Sequence, residues 1–118
     1  MSSNVLKTSA SYISQAFCCE TVILLPDEGK QIEIQEKYGT TEFSNKDYAI
    51  AHWVYKNRKP ARKYTETLTV SDWKYFPLQV NEHVFGVLGI SVTKPLTPEQ
   101  DLLLDSFASI IALYLKRM

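Results

Sequence analysis

The sequence predicts an α+β fold, a mainly antiparallel sheet with helices at both termini and one helix in the crossover. Three observations carry that prediction. Both ends of the chain place apolar residues at helical spacing, two pairs of short strands lie between them, and a capped helical stretch separates the pairs. Strand pairs joined by short turns are hairpins, so the sheet is antiparallel in the main.

The elements follow in order. Val5, Leu6, Tyr12, Ile13, Ala16 and Phe17 recur at spacings of three, four and seven, which predicts an amphipathic helix over 4–17. "TVILLP" is a short apolar strand ended by Pro26, and "PDEGK" is a turn in which Gly29 offers positive φ. "QIEIQEKY" alternates, with Ile32 and Ile34 on one face and Gln31, Glu33 and Gln35 on the other, and completes a hairpin. Ser44 caps a helix over about 45–57 whose buried stripe is Ile50, Trp53 and Val54.

"KYFPLQV" and "VFGVLGISV" form the second hairpin, joined at Asn81, Glu82 and His83, and "TLTV" offers a further short strand. Pro77 cannot donate to a ladder and predicts an edge or a bulge, while Gly86 and Gly89 predict a close approach to the second strand. The last helix is the clearest. Thr97 is its cap, Pro98 its first position, and Gln100 completes a capping box. Leu103, Phe107, Ile110, Ile111 and Tyr114 make its stripe, with Lys116 and Arg117 at the negative end of its dipole.

A chain of 118 residues, 45% hydrophobic, predicts one domain spanning 1–118 that buries roughly two-thirds of its unfolded surface without a metal or disulfide staple. Thirteen bases balance thirteen acids, which argues against nucleic acid as a partner. Cys18 and Cys19 are adjacent, so a structural disulfide is disfavoured and a reducing compartment favoured. Their spacing from His52 and His83 fits no metal site, and no cofactor is expected. No run reaches the ~20 apolar residues of a membrane span.

Five bases, Lys56, Arg58, Lys59, Arg62 and Lys63, fall within eight positions. Read locally, they offset the dipole at a helix C-terminus, the commoner use of such a run. His52 lies about 200° round its helix from Ile50 and Val54 and faces away from the buried stripe.

The element order, with "TVILLPDEGK", "AIAHWVYKNRKPA", "TETL", "FPLQVNEHVFGVLG" and "TPEQDLLLDSFASIIALYLKR", resembles the GAF domain. It is closer to one branch, the GAF-like domain of KdpD-type sensor histidine kinases of bacterial potassium homeostasis. The branch's crossover loop usually reads Pro-Ala-Gly-x-Gly-Thr-x-Thr-Leu, whereas Arg62 and Tyr64 replace both glycines here, which stiffens the loop.

The resemblance implies a fragment of a larger chain, the cytoplasmic domain of an inner-membrane protein, set between membrane helices and the kinase domains. That parent would phosphorylate itself on histidine and pass the phosphate to the response regulator KdpE. The fragment is expected to be non-catalytic. His52 and His83 are followed by Trp53 and Val84, not by an acid as in a phospho-accepting histidine, and no glycine-rich nucleotide box is present. Asn45-Lys46 starts the cyclic-nucleotide GAF pattern, but its later part is absent.

GAF relatives hold small ligands between crossover and sheet. Carried over, that places Arg58, Arg62 and Lys63 as guards of a pocket for an anionic metabolite or nucleotide phosphate, with Thr65, Trp73 and His52 lining it. The second expectation concerns assembly. Leu102, Leu104 and Leu113 lie off the stripe of the last helix, and with Leu6 and Ile13 of the first they predict a homodimer through the terminal helices, self-complementary about a two-fold axis.

Overall fold

Seven elements form three layers in the computed structural model, which describes residues 2–40, 42–59, 73–91 and 96–117. They are α1 (Ser2–Phe17), β1 (Glu20–Pro26), β2 (Ile32–Tyr38), α2 (Asn45–Asn57), β3 (Trp73–Val80), β4 (His83–Ser91) and α3 (Pro98–Lys116). The strand expected at "TLTV" lies outside the described residues, as do Arg62, Lys63 and Thr65. The sheet has the order β2-β1-β4-β3, every pair antiparallel.

One face carries α1 and α3, with Ile23, Phe76, Leu78, Leu88 and Ile90 pointing into that core. The other carries α2, with Val22, Leu24, Trp73, Tyr75 and Val87 beneath it. β1 alternates between both cores, so Val22, Ile23 and Leu24 are all sealed from solvent, which is why it reads as an unbroken apolar run.

Local chemistry sets the boundaries much as the sequence predicts. Ser44 Oγ accepts from Asp47 N–H, and the Asp47 carboxylate accepts from Ser44 N–H at 2.8 Å, a reciprocal box at the start of α2. Tyr75 adds a buried hydroxyl bond to the same carboxylate at 3.3 Å, tying α2 to β3. Thr97 and Gln100 form the box of α3 at 3.1 and 3.0 Å.

Pro77 sits opposite Val87 on β3, which lies at one end of the described strand order, and a register shift follows at Leu78/Gln79. A Cβ on Gly86 would collide with the Leu24 carbonyl oxygen, so β1 does approach β4 too closely there for any other residue. The first hairpin differs in one detail. The positive φ, 63°, belongs to Lys30 and not to Gly29.

Two helical stripes are rotated from those expected. In α1 the buried residues are Leu6, Ala10, Ile13 and Ser14, while Val5 and Tyr12 are exposed. In α3 they are Leu104, Ala108, Ile111, Ala112 and Leu115, while Leu103 and Ile110 are exposed. The reason lies in size. Ala108 and Ala112 let the helix axis approach the sheet, so their column turns inward and the bulkier column of Leu103, Phe107 and Ile110 turns aside.

Chain direction follows from the pairing. β1 starts opposite Ser91 and runs toward the β3–β4 turn. Only Cys18 and Cys19 join α1 to β1, so α1 runs back against it. α3 leaves the Ser91 end and finishes with Lys116 beside Val80 and His83. α1 and α3 are thus antiparallel, and α1 begins where α3 ends, at the pole of the two hairpin turns.

Candidate functional site

Two regions carry the residues singled out by sequence. The first is the C-terminus of α2. Arg58 is its C-cap in the left-handed conformation, φ 58°, and donates its backbone N–H to Val54 O. For a residue with a Cβ this conformation costs about 1 kcal/mol, and glycine is usual there. The side chain crosses to the β3–β4 turn, where Nη1 donates to Glu82 O at 3.2 Å and to Glu82 Oε1 at 3.5 Å. With side chains 50% and 91% exposed, that ion pair is screened and contributes little by charge alone.

This geometry separates the described members of the expected pocket, Arg62, Lys63 and Thr65 lying outside the described residues. Trp73 pairs with Ser91 at the start of β3, whereas Arg58 reaches the turn at its other end, about 23 Å away along an eight-residue strand. Trp73 is buried and packs edge-on against Phe43 at 5.4 Å, so it is a core residue. His52 is half-buried on α2, 6.4 Å from the Tyr55 ring. Arg58, His52 and Trp73 are not brought together. What sequence reasoning missed is that the cation finds the β3–β4 turn, a contact 24 residues distant that no local pattern reports.

The second region is the outer flank of α1 and α3. Leu6, Ile13 and Leu104 are sealed in the monomer's own core, so they cannot form an outer interface, and the expected assignment is corrected for these three. Of the five residues expected there, Leu102 and Leu113 are exposed. The apolar surface actually presented consists of Leu102, Leu103, Ile110 and Leu113 on α3, with Val5 and Tyr12 on α1. Phe107 joins the helices, its ring 5.5 Å from Tyr12 and 6.2 Å from Phe17, both edge-to-face. Leu102 and Ile110 are 68% and 61% exposed, an arrangement that a helix packed on only one side does not require.

Cys18 is exposed and Cys19 half-buried. Burial pushes the Cys19 thiol up, against a lowering contact with Thr21 Oγ1 at 3.8 Å. Among the described residues no three His, Cys, Asp or Glu side chains converge on a metal position, and no helix is long and apolar enough to cross a membrane.

Known proteins share this architecture. The chain is 29% identical to the sensor protein KdpD of Escherichia coli over 119 residues, covering 98% of this chain and 13% of that protein. It is 27% identical to the sensor protein KdpD of Clostridium acetobutylicum, covering 98% and 14%. The chain therefore spans about one-seventh of the length of these relatives. The crystal structure of the native GAF domain of the potassium sensor histidine kinase KdpD from Escherichia coli superposes with a TM-score of 0.84 at 26% identity, covering 99% of this chain and 82% of that one. The profile of the GAF domain matches residues 3–117, and the chain belongs to the GAF domain family.

Proposed function

We propose that the chain is a non-catalytic sensory and relay domain on the cytoplasmic side of a KdpD-type, inner-membrane sensor histidine kinase. In that parent it adjoins the membrane and kinase domains, and the kinase phosphorylates itself and then KdpE. The chain works as a homodimer through its terminal helices. The observation that supports this reading is the exposed apolar pair Leu103 and Ile110 on α3, beside half-buried Phe107 and exposed Tyr12 of α1. These helices are also the ones that lead out of the domain toward its neighbours.

A two-fold pairing of that flank removes the apolar surface from water and couples both protomers, so a small rotation of α3 shifts the kinase between two states. The test is sedimentation of the chain over a micromolar series, with phosphorylation of the parent kinase measured in parallel. Association lost in Ile110→Glu, together with altered kinase output, supports the relay. A strict monomer whose variant leaves signalling untouched sinks it.

A second reading, a domain that binds a small metabolite or nucleotide to regulate the attached kinase, draws support from Arg58. Its bonds among the described residues use Nη1 alone, leaving Nε and Nη2 to face a ligand. A thermal-shift screen of nucleotides and other anions tests it.

A further inference from the structure

At the pole of the hairpin turns two adjoining clefts open, of about 600 and 330 Å³, sharing Arg58, Glu82 and His83. Lys116 lines the larger, and Lys30 and Lys56 line the smaller. Four Lys and Arg side chains therefore line the clefts with one carboxylate, in a molecule whose formal charge is zero. The sole ion pair within the cleft among the described residues is that of Arg58 with Glu82. The acids Asp27 and Glu33 line a separate cleft. Val80 and Phe85 give the larger cleft an apolar wall, with the His83 ring 4.4 Å from that of Phe85.

Solvated helix ends do not account for this arrangement. The cations come from three elements: the β1–β2 turn, α2 with its cap, and α3. Arg58 does not turn its guanidinium back on the last carbonyls of α2. It is held across the cleft by the Glu82 carbonyl, and it occupies a left-handed position where glycine is the easier residue. A planar fork held at Nη1, with Nε and Nη2 left over among the described residues and lysines nearby, matches the several oxygens of a phosphate.

We propose that this composite cleft binds a phosphate-bearing anion, with Arg58 as the principal contact and Lys116, Lys56 and Lys30 as flanking charges. The site deepens the ligand-binding reading that rests on Arg58, and it lies at the far end of β3 from Trp73. It is independent of dimerisation, so the relay reading and this one fail separately.

Two probes separate the sources of phosphate. Inorganic pyrophosphate, followed by phosphorus NMR, stands for a soluble ligand. Co-sedimentation with phosphatidylglycerol–phosphatidylcholine vesicles stands for a lipid headgroup. Saturable binding to either supports the site and identifies its source.

Arg58→Gly is expected to weaken that binding at least about tenfold, by loss of a charged fork, while melting no lower than the parent chain because the strained cap is relieved. Lys116→Ala weakens it less. Lys37→Ala, an equal charge change on β2 away from the cleft, leaves it within about twofold. Binding to neither probe, retention in Arg58→Gly, or an equal loss in Lys37→Ala overturns the proposal.

Discussion

Leu104 and Ile110 are both apolar, both on α3, and only six positions apart, yet one is sealed and the other 61% exposed. Their energetics diverge accordingly. Leu104→Ala removes a side chain packed between helix and sheet and is expected to cost about 2–5 kcal/mol in urea unfolding, whereas Ile110→Ala stays within about 0.5 kcal/mol for a monomer. Equal costs would mean that the other column faces the sheet. The cysteines offer a second residue-level contrast. Iodoacetamide at mildly alkaline pH is expected to modify exposed Cys18 well before Cys19, whose raised pKa and partial burial keep it as the thiol. A thiol raised on folding adds stability that is fully present below its unfolded pKa, about 8.5, and declines as pH rises through the folded value. Cys19→Ala should flatten that alkaline decline in melting temperature; an unchanged slope assigns it to other groups.

Among the elements, legibility tracked how local the chemistry is. Both capping boxes are written in four consecutive residues, so Ser44 and Thr97 marked helix starts that the structure reproduces. Alternation placed Ile32 and Ile34, and Pro77, read as an edge or a bulge, lies beside a register shift in the strand that ends the described order. The rotation of α1 and α3 was not legible, because two columns of each helix are apolar and only the approach distance to the sheet decides between them. The separation of Arg58 from Trp73 was illegible for a related reason. Arg58 and Trp73 are fifteen positions apart in sequence but lie at opposite ends of one strand. Two substitutions test the element scale. Thr97→Ala should cost about 0.5–2 kcal/mol by removing the α3 cap. Gly86→Ala should cost more than a usual surface change, since its Cβ meets the Leu24 carbonyl oxygen, a backbone atom that cannot turn away. A neutral Gly86→Ala would show that β1 and β4 separate there.

At the scale of the whole molecule, the antiparallel arrangement of α1 and α3 brings the start of one and the end of the other to a single pole, while their outer flank presents Val5, Tyr12, Leu102, Leu103, Ile110 and Leu113 to solvent. A sheet face buries one side of each helix, and among the described residues Leu102, Leu103, Ile110 and Leu113 remain 45–68% exposed. Self-association through this flank predicts a sedimentation coefficient that rises across a micromolar concentration series. Ile110→Glu should abolish the rise, because pairing about a two-fold would bring two carboxylates into the desolvated seam, while unfolding of the dilute protein is barely changed. Leu104→Glu is not an equivalent probe. It buries a charge inside the monomer and is expected to unfold the domain outright, so lost association in that variant says nothing about the surface. The two outcomes together discriminate. Ile110→Glu folded and monomeric places the seam on the Leu103–Ile110 column, whereas Ile110→Glu folded and still associating moves the contact off α3 altogether.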